Sequence, residues 1–153
     1  MKKFFRMDEI RLSLYEADLT SEMDLPYSDQ GIKAGFPSPA QDYLTESIDL
    51  NKELIRHKEC TFYARVSGTS MQDADIGDGD LVVIDKLIDA SDGDIVAAFV
   101  NGEFTLKEFR MDASGAFGWL IPANKEYSPI KVSADDSFMI WGVVTYCIKK
   151  IRR

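Results

Sequence analysis

Two side chains in this sequence, those of Ser70 and Lys107, have the chemistry of a nucleophile and its base. Ser70 lies in the turn-like segment SGTSM, directly after an apolar stretch that is typical of a strand. In such a turn a hydroxyl and consecutive backbone N–H groups can point the same way, as an oxyanion hole requires. Serines in Gly/Ser turns are common, so this segment alone does not establish catalysis.

A lysine is a better candidate for the base than a histidine. The only histidine is His57, which falls on the polar side of a predicted helix, where we expect it to be solvated. A neutral lysine can take the serine proton if desolvation lowers its pKa. Lys107 is the one lysine whose predicted neighbours are apolar. We expect the following lysines to be solvated: Lys86, Lys149 and Lys150.

A predicted hairpin gives Lys107 these apolar neighbours. The pair Asn101-Gly102 separates DIVAAFV from EFTLKEF, and it is the preferred sequence for a two-residue type I′ turn. Such a turn places Lys107 opposite Val96 and on the same face as Thr105. A lysine in that position has apolar cover, which is unusual for a surface lysine.

Strand-like segments dominate the chain from residue 60 onward. In order they are CTFYARV, DLVVID, DIVAAFV, EFTLKEF, GWLIPA and FMIWGVVTYCIKKI, with Gly, Asp, Asn and Ser turns between them. SIDLNKELIRH predicts one short helix, for which Ser47 or Asp49 can serve as the N-cap. We therefore predict a mainly β, mostly antiparallel domain over residues 41–153.

The first 40 residues form a predicted N-terminal arm. Residues 8–16 alternate as a short strand would, with Ile10, Leu12 and Leu14 on one side, and two amphipathic helices of a DNA-binding motif are not predicted. No apolar run of about 18 residues occurs, so we expect no membrane span. Arg6, Asp8 and Glu9 interrupt the basic start before an apolar region develops, so we expect no signal peptide and a cytoplasmic protein.

Composition and charge indicate which kinds of partner and site the protein can have. The chain has 153 residues, 45% hydrophobic content and a net charge of −8, so we expect protein partners rather than direct, sequence-specific DNA binding. Cys60 and Cys147 lack metal-type spacing. The chain also has an acidic cluster whose order of residues differs from that of an EF-hand calcium loop. We interpret this cluster as a solvated turn without metal or cofactor, and its members are Asp73, Asp75, Asp78 and Asp80.

The segment GIKAGFPSPA has the composition of a linker or of a protease substrate. Pro37 and Pro39 disfavour the helical region for Phe36 and Ser38, so we expect an extended backbone there. Because proteases bind their substrates extended, the segment can be a cleavage site if the chain also supplies the enzyme. From composition alone both interpretations stay open.

Taken together, these segments resemble the LexA-like self-cleaving serine peptidases, and within them the UmuD-like proteins. The resemblance runs in order over residues 35 to about 148, through GFPSPA, SGTSM, IGDGDLVVID, GDIVAAFVNGEFTLK and LIPANKEYSPI. It implies a LexA-like curled antiparallel β-domain with one short helix, preceded by an extended arm over residues 1–40. It also implies that the protein uses no cofactor.

The resemblance also implies a role for individual residues. Ser70 matches the nucleophile and Lys107 the general base, while the backbone amides of Thr69 and Ser70 match the oxyanion hole. The bond between Ala34 and Gly35 matches the bond that is cut.

The partners that the resemblance implies belong to the SOS response to DNA damage. They are a second copy of the chain in a homodimer, a recombinase filament on single-stranded DNA that promotes cleavage, and the catalytic subunit of a Y-family translesion DNA polymerase. A LexA-type repressor would need a DNA-binding domain before the cut, and a signal peptidase would need a membrane anchor. A non-catalytic polymerase-binding module of the same fold stays open as an alternative.

Overall fold

The computed structural model describes residues 11–20, 24–27 and 46–152. Within these ranges the regular structure consists of ten strands, one α-helix and two 3₁₀ turns. The elements are β1 (Arg11–Glu16), β2 (Asp24–Tyr27), β3 (Glu46–Asp49), α1 (Leu50–Leu54), β4 (Thr61–Ser67), β5 (Leu81–Asp85), β6 (Ile95–Val100), β7 (Glu103–Met111), β8 (Gly118–Ile121), β9 (Ile130–Val132) and β10 (Phe138–Ile148).

Eight of the strands form one antiparallel sheet. Their order is β1-β4-β5-β10-β6-β7-β8-β9, and β2 pairs with β3 in a separate two-stranded sheet. β1 also contacts β7, five places away in that order, so the large sheet curls back on itself. This arrangement confirms the predicted fold class, a mainly β, curled antiparallel domain with one short helix.

The large sheet buries apolar side chains on both faces. Along β6, Val96 and Ala98 pack in one core cluster and Ala97 packs in the other, because successive side chains of a strand point to opposite faces. All three are fully buried. The continuous apolar run of β6 is what a strand covered on both sides requires.

The predicted β6–β7 hairpin is confirmed in its register. Asn101 and Gly102 have φ values of 49° and 83°, and a type I′ turn requires positive values at both central residues. Val100 pairs with Glu103, and Val96 pairs with Lys107. The turn therefore determines which face of the sheet carries the lysine.

The helix is shorter than the sequence pattern predicted. We expected residues 47–57 to be helical, but Glu46–Asp49 is a strand paired with β2, and the helix ends at Leu54. The Asp49 carboxylate accepts a hydrogen bond of 2.9 Å from the Asn51 amide, which confirms it as the N-cap. Before this N-cap the chain forms a strand, because pairing of residues 46–49 with β2 outweighs the local preference for a helix.

Part of the predicted arm is packed on the domain. The strand predicted over residues 8–16 is confirmed from Arg11 to Glu16 as β1, which pairs with β4. Leu12 and Leu14 pack against a core cluster, while Tyr15 on the other side is exposed. The predicted strand list lacked the three short strands β2, β3 and β9.

Gly142 allows β10 to approach β5 closely. A Cβ atom at this position would lie 2.6 Å from Ile84 Cγ2 and 3.0 Å from the Asp85 carbonyl oxygen. Both distances are well inside ordinary contact, and Ile84 is fully buried. Glycine is thus the residue that fits where β10 crosses the centre of the sheet.

Candidate active site

Ser70 lies in a short loop between β4 and a 3₁₀ turn, Gln72–Ala74. The loop begins at Gly68, whose φ of 101° is readily adopted only by glycine. The Gly68 amide donates a hydrogen bond of 2.9 Å to the Asp78 carboxylate, which holds the start of the loop. The loop thereby turns Ser70 inward, where the residue is fully buried.

Lys107 reaches the Ser70 loop from β7. It is 1% exposed, and its Nζ lies 3.2 Å from Ser70 Oγ. Nζ also lies 2.6 Å from Thr105 Oγ1 and 3.0 Å from the Leu106 carbonyl oxygen. The structure therefore brings together the two residues that the sequence indicated as nucleophile and base.

These three contacts can be made by the ammonium form of Lys107, and they also suit a neutral amine. Such an amine has two hydrogens, which Thr105 Oγ1 and the Leu106 carbonyl can accept. When the amine is neutral, its lone pair can then accept the proton of the Ser70 hydroxyl, whereas the ammonium form donates to Ser70 Oγ. Because burial disfavours the ammonium form, this site suits a lysine that takes a proton.

The Thr69–Ser70 peptide lies within the same loop. The Thr69 carbonyl oxygen accepts hydrogen bonds from Asn124 Nδ2 at 2.9 Å and from the Gln72 amide at 3.2 Å. Thr69 Oγ1 lies 3.3 Å from the Tyr127 hydroxyl. Oxyanion-hole roles for the amides of Thr69 and Ser70 stay predictions.

The other predicted site residues, Ala34 and Gly35, lie outside the described residues, as does the GFPSPA segment. The structure therefore leaves the location of the scissile bond as a prediction.

The predicted helical position of His57 is wrong, although its side chain is 38% exposed to solvent. It follows α1, and its Nδ1 lies 2.6 Å from the carboxylate of Asp85, whose side chain is buried. The His57 carbonyl accepts a hydrogen bond from Thr61 Oγ1. The imidazole thus joins the segment after α1 to β5, apart from the Ser70 loop.

One of the lysines predicted to be solvated, Lys149, is exposed and also forms an ion pair. Lys149 forms a salt bridge with Asp80, which is 8% exposed and accepts a hydrogen bond from the Gly77 amide. The solvated-turn interpretation is therefore wrong for Asp80. Lys150 is exposed as predicted, and Lys86 is exposed with its ammonium nitrogen 4.9 Å from the Trp141 ring centroid.

Sequence reasoning missed two residues of the site. The alternation of β7 placed Thr105 on the same face as Lys107, but no role was predicted for Thr105. Its spacing of two residues from Lys107 could have indicated a contact between the two side chains. Asn124 lies in a loop and contacts Thr69 from 55 residues away, so no local pattern indicates it. Within the described ranges, no cluster of acidic, histidine or cysteine side chains could hold a metal ion.

A family model described as Peptidase S24-like matches residues 26–145. The chain belongs to the Peptidase S24-like family. Protein MucA of Salmonella typhimurium is 38% identical over 141 residues, which cover 91% of this S24-like chain and 94% of MucA. Protein SamA of the same species is 42% identical over 119 residues, or 78% of this chain and 81% of SamA.

The S24-like relatives also include a repressor. The LexA repressor of Thermobifida fusca is 39% identical over 120 residues, which cover 78% of this chain and 45% of the repressor. These matches confirm that the chain is a UmuD-like protein of the LexA type. In the part of the chain that the structure describes, no helix is long and apolar enough to cross a membrane.

Proposed function

We propose that this protein is a serine endopeptidase that cuts its own chain between Ala34 and Gly35, with a Ser70–Lys107 dyad. The observation that carries the proposal is the buried contact of 3.2 Å between Lys107 Nζ and Ser70 Oγ. Lysine is among the residues least often fully buried, and a buried amine beside a hydroxyl is suited to proton transfer. Membership of a peptidase family supports the same chemistry.

The first half of the reaction forms an ester. Neutral Lys107 takes the proton of Ser70 Oγ as that oxygen attacks the carbonyl carbon of Ala34. The oxygen of that carbonyl becomes negative and is stabilised by the amides of Thr69 and Ser70. The Ala34–Gly35 bond then breaks, and the Lys107 ammonium gives its proton to the departing amine of Gly35.

The second half releases the arm. Lys107, neutral again, takes a proton from a water molecule that attacks the ester carbon between Ala34 and Ser70. The bond to Ser70 Oγ breaks, and Oγ recovers its proton from the lysine. The products are an arm of residues 1–34 and a domain that begins at Gly35.

An extended substrate segment on the same chain suits this chemistry. The prolines that follow Gly35 favour an extended backbone, the conformation in which proteases bind peptides. A reacting bond held in place by its own chain needs no separate binding step, which lowers the entropic part of the barrier. We propose residues 1–40 as the arm and residues 41–153 as the peptidase domain.

The decisive test is intact mass against time for the purified chain at pH about 7 and about 10, where a lysine loses its proton more readily. We expect a new species that begins at Gly35 and forms faster at the higher pH. Matched variants are Ser70→Ala and Lys107→Ala, which should stay whole. A Lys107→Met variant, which keeps most of the length of the side chain and removes the amine, controls for loss of packing.

The outcomes separate the peptidase from its alternative. If the wild-type chain stays whole even with recombinase filament on single-stranded DNA, the domain is a non-catalytic binding module. If Ser70→Ala or Lys107→Ala is cut as fast as the wild type, the proposed dyad is wrong. A cut at another bond would retain the dyad and refute the Ala34–Gly35 assignment.

We further propose that the trimmed homodimer acts in the SOS response, as the accessory subunit of an error-prone Y-family translesion polymerase. The resemblance to UmuD-like proteins supports this role, and MucA matches over most of both chains. The test compares binding of the trimmed chain and of intact Ser70→Ala to the polymerase catalytic subunit from the same genome. Equal binding by both forms would show that cleavage does not control assembly.

A further inference from the structure

Two loops meet beside the proposed nucleophile, and the second has no role in the chemistry described so far. Besides the contacts made by Asn124 and Tyr127, the Ala123 amide donates to Met71 Sδ at 3.4 Å. The Asp73 amide donates to the Ala123 carbonyl at 2.8 Å. The loop over residues 123–127 therefore holds the Ser70 loop at several points.

Asn124 is the most closely held member of that loop. It is 6% exposed, and both ends of its amide are bonded. Its Nδ2 donates to the Thr69 carbonyl at 2.9 Å, and its Oδ1 accepts from the Glu126 amide at 2.9 Å. The Glu126 bond orients the side-chain amide, so that its nitrogen faces the carbonyl of Thr69.

That contact determines the direction of a backbone N–H. The Thr69 carbonyl and the Ser70 N–H belong to one planar trans peptide, in which the two groups point in opposite directions. Asn124 therefore turns the Ser70 N–H away from itself by holding the carbonyl. If this peptide flipped, a carbonyl oxygen would take the direction of the N–H and repel a developing oxyanion.

We infer that Asn124 is a positioning residue, which keeps the Ser70 amide directed at the oxyanion. The inference rests on the proposed self-cleavage and adds a residue to it. Asn124 acts through the Thr69 carbonyl and takes no part in proton transfer. The Gln72 amide also holds this carbonyl, at the longer distance of 3.2 Å, so the side chain of Asn124 is the closer of the two donors.

The test separates the two ends of the Asn124 side chain. Asn124→Asp keeps an oxygen for the Glu126 amide and replaces the donor to Thr69 by a second oxygen. Asn124→Ala removes both groups. If Asn124 only shapes its own loop, the aspartate variant cleaves normally and only the alanine variant is impaired. If the donor matters, both variants are slow.

We expect self-cleavage of both variants to slow about tenfold to a hundredfold, up to the loss seen when one oxyanion donor is removed. The pH dependence of the remaining rate of Asn124→Ala, which adds no charge, should match that of the wild type, because the contacts of Lys107 are unchanged. A loss of the dyad itself would alter that dependence. Tyr127→Phe, which removes another contact between the same loops, should cleave within about threefold of the wild type.

Each outcome has a distinct meaning. Cleavage of Asn124→Asp within about threefold of the wild type would overturn the inference and leave the proposed peptidase intact. Thermal denaturation that shows both Asn124 variants unfolded would assign the residue a structural role and also overturn it. A wild-type chain that is never cut would instead refute the proposed function.

Discussion

Replacing Thr105 by valine tests whether the hydroxyl beside Lys107 assists the proposed base. Thr105 Oγ1 lies 2.6 Å from Lys107 Nζ, the shortest of the three recorded contacts of that nitrogen, and Thr105 is 5% exposed. Valine keeps the branched shape at Cβ and removes the acceptor. The contacts of Nζ with Ser70 and with the Leu106 carbonyl are retained.

We expect Thr105→Val to slow self-cleavage about tenfold. A hydrogen bond between neutral groups contributes about 1 kcal/mol, and one to a charged group about 2 kcal/mol or slightly more. In the proposed reaction Lys107 gains its proton as Ser70 attacks, so the bond to Thr105 would strengthen by about 1 to 1.5 kcal/mol in the transition state. Only this gain affects the rate of the chemical step, and about 1.4 kcal/mol corresponds to a factor of ten.

The assay is the rate of loss of the intact mass at pH about 10, where the amine begins neutral more often. Thr105→Ser is the matched control, because it keeps the hydroxyl, and it should cleave within about threefold of the wild type. A valine variant as fast as the wild type would refute the reasoning. A serine variant as slow as the valine variant would do so too, because the lost methyl group would then explain both.

Three further predictions concern stability and thiol chemistry. Gly142→Ala should lower the free energy of unfolding by about 1 to 3 kcal/mol in urea denaturation, because its Cβ overlaps the isoleucine of the neighbouring strand. In Gly77→Ala the new Cβ would have its nearest neighbour at 3.9 Å, so the free energy of unfolding should change by less than about 0.5 kcal/mol. Equal losses of stability in the two variants would contradict the close approach of the strands at Gly142. Cys147 is exposed, but partial desolvation of its thiol, followed by the charge of Asp80, raises the pKa of Cys147 to about 11, so its alkylation at pH about 8 should be roughly tenfold slower than that of an ordinary thiol. Mass spectrometry that shows Cys147 alkylated at an ordinary rate would refute this. Burial acts to raise the pKa of Asp80, but the hydrogen bonds from the Gly77 amide and from Lys149 have the larger combined effect, so the pKa is lowered. The charged Asp80 carboxylate should therefore stabilise the fold above the ordinary carboxyl pKa, and this contribution should be lost as the pH falls through the lower pKa of the folded state. In acid denaturation, the stability of Asp80→Asn should lack this loss.

The position of Lys107 could be predicted from sequence because a local signal determines it. The Asn101-Gly102 turn fixes the register of two strands, and a strand period of two residues then assigns every side chain to a face. Ser70 was recognisable as a hydroxyl in a tight turn, but its proximity to Lys107 rested on a resemblance. The structure brings the two together across 37 residues.

The features that sequence reasoning missed depend on contacts between distant segments. Ser47 was assigned to a helix because local periodicity indicated one, yet it lies in a strand that pairs with residues 24–27. His57 was assigned to the same helix and binds Asp85, 28 residues later. Asn124 holds a carbonyl from a loop without periodicity. No local pattern contains these pairings, because each depends on how the sheet curls.

The pairing of β1 with β4 bears on what a cut in the arm would achieve. β1 joins β4 through six residue pairs, and β2 joins β3 through four. In the sequence, Ala34 and Gly35 lie between β2 and β3. The proposed cut at that bond would leave both ladders in place, so its immediate product would be a nicked protein whose two pieces are still associated.

Separation of the pieces is then a second, reversible event that obeys the law of mass action. Before the cut, β1 cannot diffuse away from β4. Afterwards only non-covalent contacts hold it, among them the packing of Leu12 and Leu14 on the core, and dilution favours its departure. Departure leaves the backbone N–H and C=O groups along one edge of β4 without their strand. Protein concentration, rather than the chemistry of the cut, would then decide how long that edge stays covered.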